Sequence, residues 1–503
     1  MNSIYKKGIN RDQQLLLPPN LNDYVGEENA VRAIDAYAES IDTYALGFRT
    51  KKTNTTDGQP AFHPKLLLKI YLYGYLNKIR SSRRLETEVN RNVELMWLVQ
   101  GLNPSYKTIS NFRKDNPKAL KEVFKEFVLL CKNTDLITGE LVAIDGAYLR
   151  ANASKNQLLM LKNIQTDLNE IDTKIDNYLV SLETNDKEDE RNIQPILLPK
   201  DIEKLNIKKQ KLQEDLKLLQ ELNKTQYNKT DPDSSLMVKP AHNLIAYNAQ
   251  IAVDSKFKFI VATKVSAQGN DAQELHSMAL SAKEIIETQH LTVVADTGYD
   301  SDKEIKKCID DNITPILPRA NKQKAQEDKG KFTRDRFAYD NKADSYTCPN
   351  NQTLHKNSCP QLKNDKLNHV YRASSVQCKQ CPMRNKCLPD KTTSKQIFRW
   401  EHESIIEEHT KTMKTDTAKS IIKQRGSIVE HPFGTIKRML GWDHYLVRGK
   451  DKVSGENALI MFAYNFKRML NLIGVDLFRK LVFALKCGDT ALVKEEIRRC
   501  VAR

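Results

Sequence analysis

The chain has 503 residues, which is too long for one compact core, so we expect several domains. Lysine and arginine number 80 against 64 aspartate and glutamate, and the net charge of +16 suits a polyanionic partner such as nucleic acid. A merely basic soluble protein is the alternative. The mean hydropathy of −0.59 and the polar start MNSIYKKGIN argue against membrane-spanning and secreted proteins, so we expect a cytoplasmic protein.

Residues 22–135 have a helical pattern. Apolar residues recur at three- and four-residue spacings in HPKLLLKIYLYGYLNKIRSSRRLETEVNRNVELMWLV, and PSYKTISNFRKDNP follows as a turn and a short helix. This predicts an N-terminal helical DNA-binding domain at 1–138 with a helix-turn-helix-like element. Lys107, Arg113 and Lys114 are its candidate DNA contacts, although a basic, solvated helix face explains the same residues without DNA.

The next segment combines a strand with a helical insertion. LVAIDGAYLRA reads as a buried strand whose apolar run ends at Asp145. Two later runs, from Leu161 to Tyr178 and from Leu205 to Leu219, have helical apolar seams and predict an antiparallel helical hairpin at 156–224. Pairing of the two arms with each other is the simpler explanation of the seams, and dimerisation is the alternative.

Beyond the hairpin the pattern predicts a mixed α/β sheet. NLIAYNAQIAVD and KFIVATKVSA predict paired strands, DAQELHSMALSAKEIIE a helix, and LTVVADTGYD and ITPILPRA two further strands. A basic, cysteine-bearing insertion follows at 321–400. Two helices, in IIKQRGSIVEHPFGTIKRML and SGENALIMFAYNFKRMLNLI, then close a second domain at 139–503.

Three acidic residues are candidates for one site. Asp145 and Asp296 each follow an apolar strand, and functional groups often cluster at strand ends, although either residue alone is better explained as a turn cap. Glu430 falls early in a predicted amphipathic helix, on which Lys437 lies two turns later on the same face. Converging carboxylates repel one another unless divalent cations lie between them, and oxygen ligands suit Mg²⁺ or Mn²⁺.

At these residues the chain resembles the DDE transposases of bacterial insertion sequences. The resemblance rests on VAIDGAYLRANASK, DPDSSLM, QGNDAQEL, VVADTGYDS and RGSIVEHPFGTIKR, and the N-terminal helices resemble the domain that commonly precedes the catalytic core. It implies a ribonuclease-H-like α/β core at 139–503, with Asp145, Asp296 and Glu430 as the catalytic triad.

The resemblance also implies a reaction and its DNA contacts. Such an enzyme hydrolyses the transposon ends with Mg²⁺ or Mn²⁺, two ions in all, and the freed 3′ hydroxyls attack target DNA without a covalent protein intermediate. Lys437 and Arg425 would correspond to basic residues that contact transposon-end DNA, and Arg438 is a further candidate. Because two ends are handled together, we expect a homodimer assembled on DNA, associated with the bacterial nucleoid.

The cysteines form a separate candidate site. Five of the nine lie between Cys348 and Cys387, and QCKQCPMRNKC contains a CxxC pair. Because a CxxC pair directs two thiolates towards one metal, we predict a structural Zn²⁺ site of four sulfur ligands, with free thiols as the alternative. The predicted ligands are Cys348, Cys378, Cys381 and Cys387, with Cys359 as the alternative to Cys348.

Two other functions remain open on the sequence alone. A metal-dependent DNA nuclease would use the same three acids without strand transfer. A DNA-binding protein that keeps the fold without chemistry would need none of them, but all three acids and Lys437 are present.

Overall fold

A computed structural model describes residues 20–49, 60–185, 199–238, 243–321 and 323–502. Its α-helices are α1 (Ala30–Ser40), α2 (Pro64–Leu76), α3 (Ser82–Val89), α4 (Val93–Leu98), α5 (Tyr106–Asp115), α6 (Pro117–Asn133), α7 (Leu161–Asn185), α8 (Pro199–Glu221), α9 (Leu275–Ile286), α10 (Asp302–Asp310), α11 (Lys324–Glu327), α12 (Ser375–Lys379), α13 (Arg384–Cys387), α14 (Glu403–Thr412), α15 (Asp416–Gly434), α16 (Lys450–Cys487) and α17 (Ala491–Val501).

The strands of the described residues form two larger sheets and one short ribbon. They are β1 (Leu141–Arg150), β2 (Leu158–Met160), β3 (Gln226–Asn228), β4 (Ser235–Val238), β5 (Asn243–Asp254), β6 (Ile260–Ser266), β7 (Leu291–Val294), β8 (Ile313–Ile316), β9 (Ala338–Asp340), β10 (Ser345–Thr347), β11 (Thr353–Lys356), β12 (Gln361–Lys363), β13 (Lys366–Arg372) and β14 (Gln396–Trp400).

The first six helices form the predicted helical part of the chain. The predicted short helix is α5. Its N-cap residue is Ser105, whose hydroxyl accepts a hydrogen bond from the Thr108 amide. Pro117 begins α6, where a missing amide proton costs nothing because the first turn of a helix has no internal acceptor. Of these helices, α1, α2, α5 and α6 pack against α16, a long helix that is interrupted at Gly474, where φ is 76°.

A mixed sheet lies beneath these helices, as the sequence predicted. Its strand order is β4-β5-β1-β7-β8. β4 pairs with the first part of β5, and β6 pairs with the later part of the same strand. β4 and β6 run antiparallel to β5, β5 runs antiparallel to β1, and β1, β7 and β8 are parallel to one another. The run from Ile245 to Asp254 in β5 is entirely buried, which is typical of a strand covered on both faces.

The predicted hairpin is formed by α7 and α8. It leaves the core through the antiparallel β2–β3 ribbon, in which Met160 pairs with Gln226. Ile164, Ile171 and Leu219 are buried along its seam, and Lys209 binds Asp172 across the two arms. The arms therefore pair with each other, which was the simpler of the two explanations.

The cysteine-bearing insertion has a sheet of its own. Its order is β12-β13-β11-β10-β9, with β14 on β13. Phe337, Tyr346, Leu354 and Tyr371 form a small apolar core there, separate from the main one.

One continuous apolar core extends from Val25 to Ile497 and includes both the N-terminal helices and the mixed sheet. The boundary at residue 138 therefore stays a prediction from the sequence. Among the helices of the described ranges, none combines the length and apolar character that a membrane crossing needs.

Candidate active site

A cleft of about 610 Å³ opens beside β1 of the mixed sheet. Two carboxylates, Asp145 of β1 and Asp271 of the loop before α9, line the cleft. The end of α15 and the turn that follows it contribute Glu430, Lys437 and Arg438. The cleft therefore brings acids from distant parts of the sequence next to cations.

Asp145 lies in the middle of β1, and the prediction that its strand ends there was wrong. β5 pairs with β1 from Val142 to Arg150, so the ladder continues beyond Asp145. On the other side of β1, β7 covers only Leu141 to Ala143. Asp145 is exposed to the cleft because its neighbouring strand has ended, although its own strand has not.

Asp296 follows the end of β7, two residues beyond Val294. Its Oδ1 accepts a hydrogen bond of 2.8 Å from the Gly298 amide, so it caps the single turn Thr297–Tyr299. The turn-cap explanation therefore holds for this residue. It does not exclude a second role, because a carboxylate has further lone pairs available.

The electrostatics of Asp145 indicate crowded carboxylates. The pKa of Asp145 is raised from 3.8 to about 6. Burial raises it most, Arg425 and the Gly146 amide lower it, and the charges of Asp296 and Asp271 raise it. Arg425 Nη1 lies 3.5 Å from Asp145 Oδ2. Asp145, Asp296 and Asp271 are thus close enough to repel one another, and a cation near them would relieve that repulsion.

Glu430 is an exposed residue near the end of α15, so the prediction that it lies early in its helix was wrong. Its Oε1 lies 3.3 Å from the position that a Cβ on Gly426 would occupy, so the carboxylate turns back along the helix towards the segment that carries Arg425. Pro432 lacks an amide proton, and three residues later the helix widens into a π turn at Thr435–Met439. Lys437 lies in this turn, on the same cleft as Glu430, as their spacing suggested.

Asp271 was not among the predicted site residues. It lies in the loop between β6 and α9, inside the motif QGNDAQEL that the family resemblance had drawn attention to. The motif could have drawn attention to Asp271. However, this residue does not directly follow a strand, and no basic residue follows it at helical spacing. Nothing in its local pattern separated it from an ordinary loop acid.

The predicted contacts on α5 divide into two groups. Lys107 and Lys114 are exposed, whereas Arg113 is 6 % exposed, donates a hydrogen bond of 3.1 Å to the Tyr75 hydroxyl and lies 3.8 Å from Glu456. The prediction that Arg113 is exposed for DNA was wrong. Its position in the helix, one residue after buried Phe112, faces the interior.

The four predicted zinc ligands surround one small cavity. Cys348, Cys378, Cys381 and Cys387 line it, and burial raises the pKa of Cys387, Lys395 lowers it, and the other three sulfurs raise it further. Cys359 is exposed and its sulfur lies near Ser358 instead. In the described part of the chain, no three His, Cys, Asp or Glu side chains are grouped so that they could hold a metal ion.

Two family models match the sequence. The Transposase domain (DUF772) matches residues 19–115 and the Transposase DDE domain matches residues 347–470. The second match contains Glu430 and the cysteine cluster, whereas Asp145 and Asp296 precede it. The comparison with curated proteins gave no match.

A solved structure of piggyBac transposase, in a synaptic complex with hairpin DNA, is also similar. The identity is 10 % and the TM-score 0.30, over 95 % of this chain and 85 % of that chain. A TM-score this low carries no argument about fold or function.

Proposed function

We propose that this chain is a transposase of the DDE class that cuts the DNA strands at the ends of a mobile element and joins the freed 3′ ends to target DNA. The observation that carries the proposal is the cleft that Asp145 and Glu430 line together with Lys437 and Arg438. Carboxylates bind hard divalent cations, and lysine and arginine bind phosphates, so the two kinds of group in one cleft suit phosphoryl transfer on DNA.

The chemistry of the donors suits a divalent cation, although in the described residues no three of them form a preformed metal site. Asp145, Asp296 and Glu430 offer only oxygen ligands, and the repulsion that Asp145 experiences from its neighbours favours Mg²⁺ or Mn²⁺ between them. When bound, such ions neutralise charge at the scissile phosphate and lower the pKa of water.

The chain's own cations have separate roles. Lys437 and Arg438 hold the phosphate backbone in the cleft, and Arg425 balances the charge of Asp145. In the first step water attacks phosphorus, the bond to the 3′ oxygen breaks, and the freed oxygen takes up a proton. In the second step that 3′ hydroxyl attacks a target phosphate and releases a new 3′ hydroxyl there. Lys107 and Lys114, exposed on α5, contact the transposon end.

The sheet topology supports a ribonuclease-H-like core. Three antiparallel strands, β6, β5 and β1, continue into two parallel strands, β7 and β8. Along the chain, α9 connects β6 to β7, and α10 connects β7 to β8. Asp145 lies on β1, and Asp296 follows the end of β7, the parallel strand beside it.

A cleavage assay tests the proposed function. Purified protein is incubated with a labelled duplex that carries its own element's end and with Mg²⁺ or Mn²⁺. Wild type should give end-specific cleavage and joined products, Glu430→Gln should give neither while still binding the end, and Asp416→Asn, a fully exposed acid on the same helix, should behave as wild type. Cleavage without joined products would indicate a nuclease, and end binding without cleavage by wild type would contradict the proposal.

We also propose that Cys348, Cys378, Cys381 and Cys387 hold a structural Zn²⁺ ion and that two copies of the chain assemble on DNA in the cytoplasm. Four thiolates around one cavity leave no open position for water. Mass spectrometry of metal content should find one zinc per chain, lost in Cys378→Ser and kept in Cys359→Ser. Equal zinc in both variants would contradict the assignment.

A further inference from the structure

Asp271 shares the cleft with two of the three proposed catalytic acids. It is half-buried, in the loop that precedes α9, and it lines the cleft together with Asp145 and Glu430. Its carboxylate is therefore accessible from the space where DNA would bind, and the proposed mechanism has not yet given it a role.

Two side chains of the mixed sheet fix the orientation of the Asp271 carboxylate. Its Oδ1 accepts hydrogen bonds from Asn248 Nδ2 at 2.7 Å and from Gln250 Nε2 at 2.5 Å, and both amides are fully buried on β5. Gln250 in turn accepts a hydrogen bond from the buried Tyr299 hydroxyl, and in the β1–β5 ladder it is the partner of Gly146. Such supporting contacts keep a carboxylate in one direction, as they do around metal ligands.

Two glycines leave room for the carboxylate beside both aspartates. A Cβ on Gly146, the residue after Asp145, would lie 2.8 Å from Asp271 Oδ1. A Cβ on Gly298, in the turn capped by Asp296, would lie 3.8 Å from Asp271 Oδ2 and 3.0 Å from Asp296 Oδ1. Asp271 therefore lies between the strand residue that follows the first acid and the turn that follows the second.

A second oxygen donor faces the same gap. Asn248 Oδ1 is fully buried, and within the described part of the chain no group donates a hydrogen bond to it. It lies 2.9 Å from the Cβ position of Gly146. A buried carbonyl oxygen with nothing to bind is costly, and a cation or its bound water in this gap would satisfy it.

We propose that Asp271 is a fourth carboxylate of the divalent-cation site and binds the ion together with Asp145 and Asp296. The inference rests on the proposed function, because it assigns a further ligand to the same site. The competing explanation is that Asp271 serves only as an acceptor for the amides of Asn248 and Gln250.

Asp271→Asn separates the two explanations. The variant keeps an oxygen for the two buried amides but removes the negative charge. If Asp271 binds the ion, Mn²⁺ affinity of the DNA-free chain, measured by electron paramagnetic resonance, should fall at least about tenfold, whereas the Tm without metal should hold or rise because repulsion is removed. Glu274→Gln is the matched control, since Glu274 is a buried acid three residues away that binds Lys264 at 2.8 Å, and it should keep wild-type Mn²⁺ affinity.

The outcomes distinguish this inference from the proposed function. Wild-type Mn²⁺ affinity in Asp271→Asn, with affinity lost in Asp145→Asn, would overturn the role of Asp271 and leave the proposed function intact. A lowered Tm without metal, together with an equal loss of Mn²⁺ affinity in Asp271→Glu, would also overturn it, since Glu restores the charge. Failure of the wild-type chain to bind Mn²⁺ would refute the proposed metal site and this inference together.

Discussion

At the scale of single residues, Gly146 decides whether the candidate site can form. A Cβ there would lie 2.3 Å from Gln250 Nε2, and the side chain of Gln250 is fully buried. We expect Gly146→Ala to lower the free energy of unfolding by about 2 kcal/mol through overpacking and to abolish cleavage. Urea denaturation measures the first effect and the end-cleavage assay the second.

Gly434→Ala is the matched control for this prediction. Gly434 has helical angles and no atom within 4 Å of its Cβ position, so alanine there should raise stability by about 0.5 to 1 kcal/mol. If Gly146→Ala is as stable as wild type, the close approach of Asp271 and Gln250 to β1 is wrong.

The sequence was informative for residues whose role follows from local pattern. Asp145 and Asp296 were predicted because an acid after an apolar run is visible in a sequence, and Glu430 and Lys437 because their spacing places them on one helix face. Asp271 and Arg113 needed tertiary information. Asp271 is defined by amides from another strand, and the burial of Arg113 depends on Glu456, which is distant in sequence.

At the scale of elements, Asp302 connects the mixed sheet to the cysteine-bearing insertion. It begins α10 and binds Arg319, which follows β8, and Lys366 of β13. Burial raises its pKa, but hydrogen bonds from Lys366 and Arg319 outweigh burial and lower the pKa to about 2, from an ordinary value of 3.8. The ionised carboxylate is therefore part of the contact between the two sheets.

Stability should depend on pH through this group. Because the folded pKa is lowered, the stabilisation is fully present above pH 4 or so and is lost as pH falls towards about 2. We expect Asp302→Asn to cost about 2 kcal/mol at pH 6, and the difference from wild type to shrink as pH falls. Urea denaturation between about pH 3 and 6 measures this.

Asp310→Asn provides the control at the other end of the same helix. Asp310 binds Lys306 one turn away with half of its side chain exposed, so its loss should cost less than about 0.5 kcal/mol at any pH. A constant difference between Asp302→Asn and wild type across this range would contradict the assigned pKa.

The elements themselves were largely predictable, with two physical exceptions. Helices and strands followed apolar periodicity, and the hairpin of α7 and α8 followed its seams. The length of β1 did not, because β7 covers only its first three residues and its second half carries polar and small residues such as Asp145 and Gly146. The sheet of the insertion was not predicted either, since its strands are mostly short and hold a small core of their own.

At the scale of the whole molecule, Glu456 connects the N-terminal helices to the C-terminal part of the chain. It is fully buried on α16, lies 3.3 Å from the Tyr75 hydroxyl and 3.8 Å from Arg113, and accepts hydrogen bonds from the Leu446 and Val447 amides. Glu456→Ala should cost about 3 to 5 kcal/mol, because it leaves the buried Arg113 charge uncompensated.

The double variant Glu456→Ala/Arg113→Met should recover part of that loss, because the orphaned charge is removed.

Urea denaturation followed by circular dichroism should show one transition in wild type, since a single apolar core spans residues on both sides of position 138. Two separate transitions would show that the predicted domains fold independently.

The net charge of +16 makes DNA affinity depend on salt. If six to ten phosphates are contacted, affinity for the element end should fall about a thousandfold or more between roughly 50 and 200 mM salt, because bound cations displace counterions.

Lys437→Gln should make the slope of log affinity against log salt shallower by about 0.9. Lys217 is an exposed lysine of the α7–α8 hairpin, and Lys217→Gln should leave this slope unchanged. Equal slopes for wild type and Lys437→Gln would remove Lys437 from the phosphate contacts. A salt-independent affinity would mean that the charge of the chain is not used to bind DNA at all.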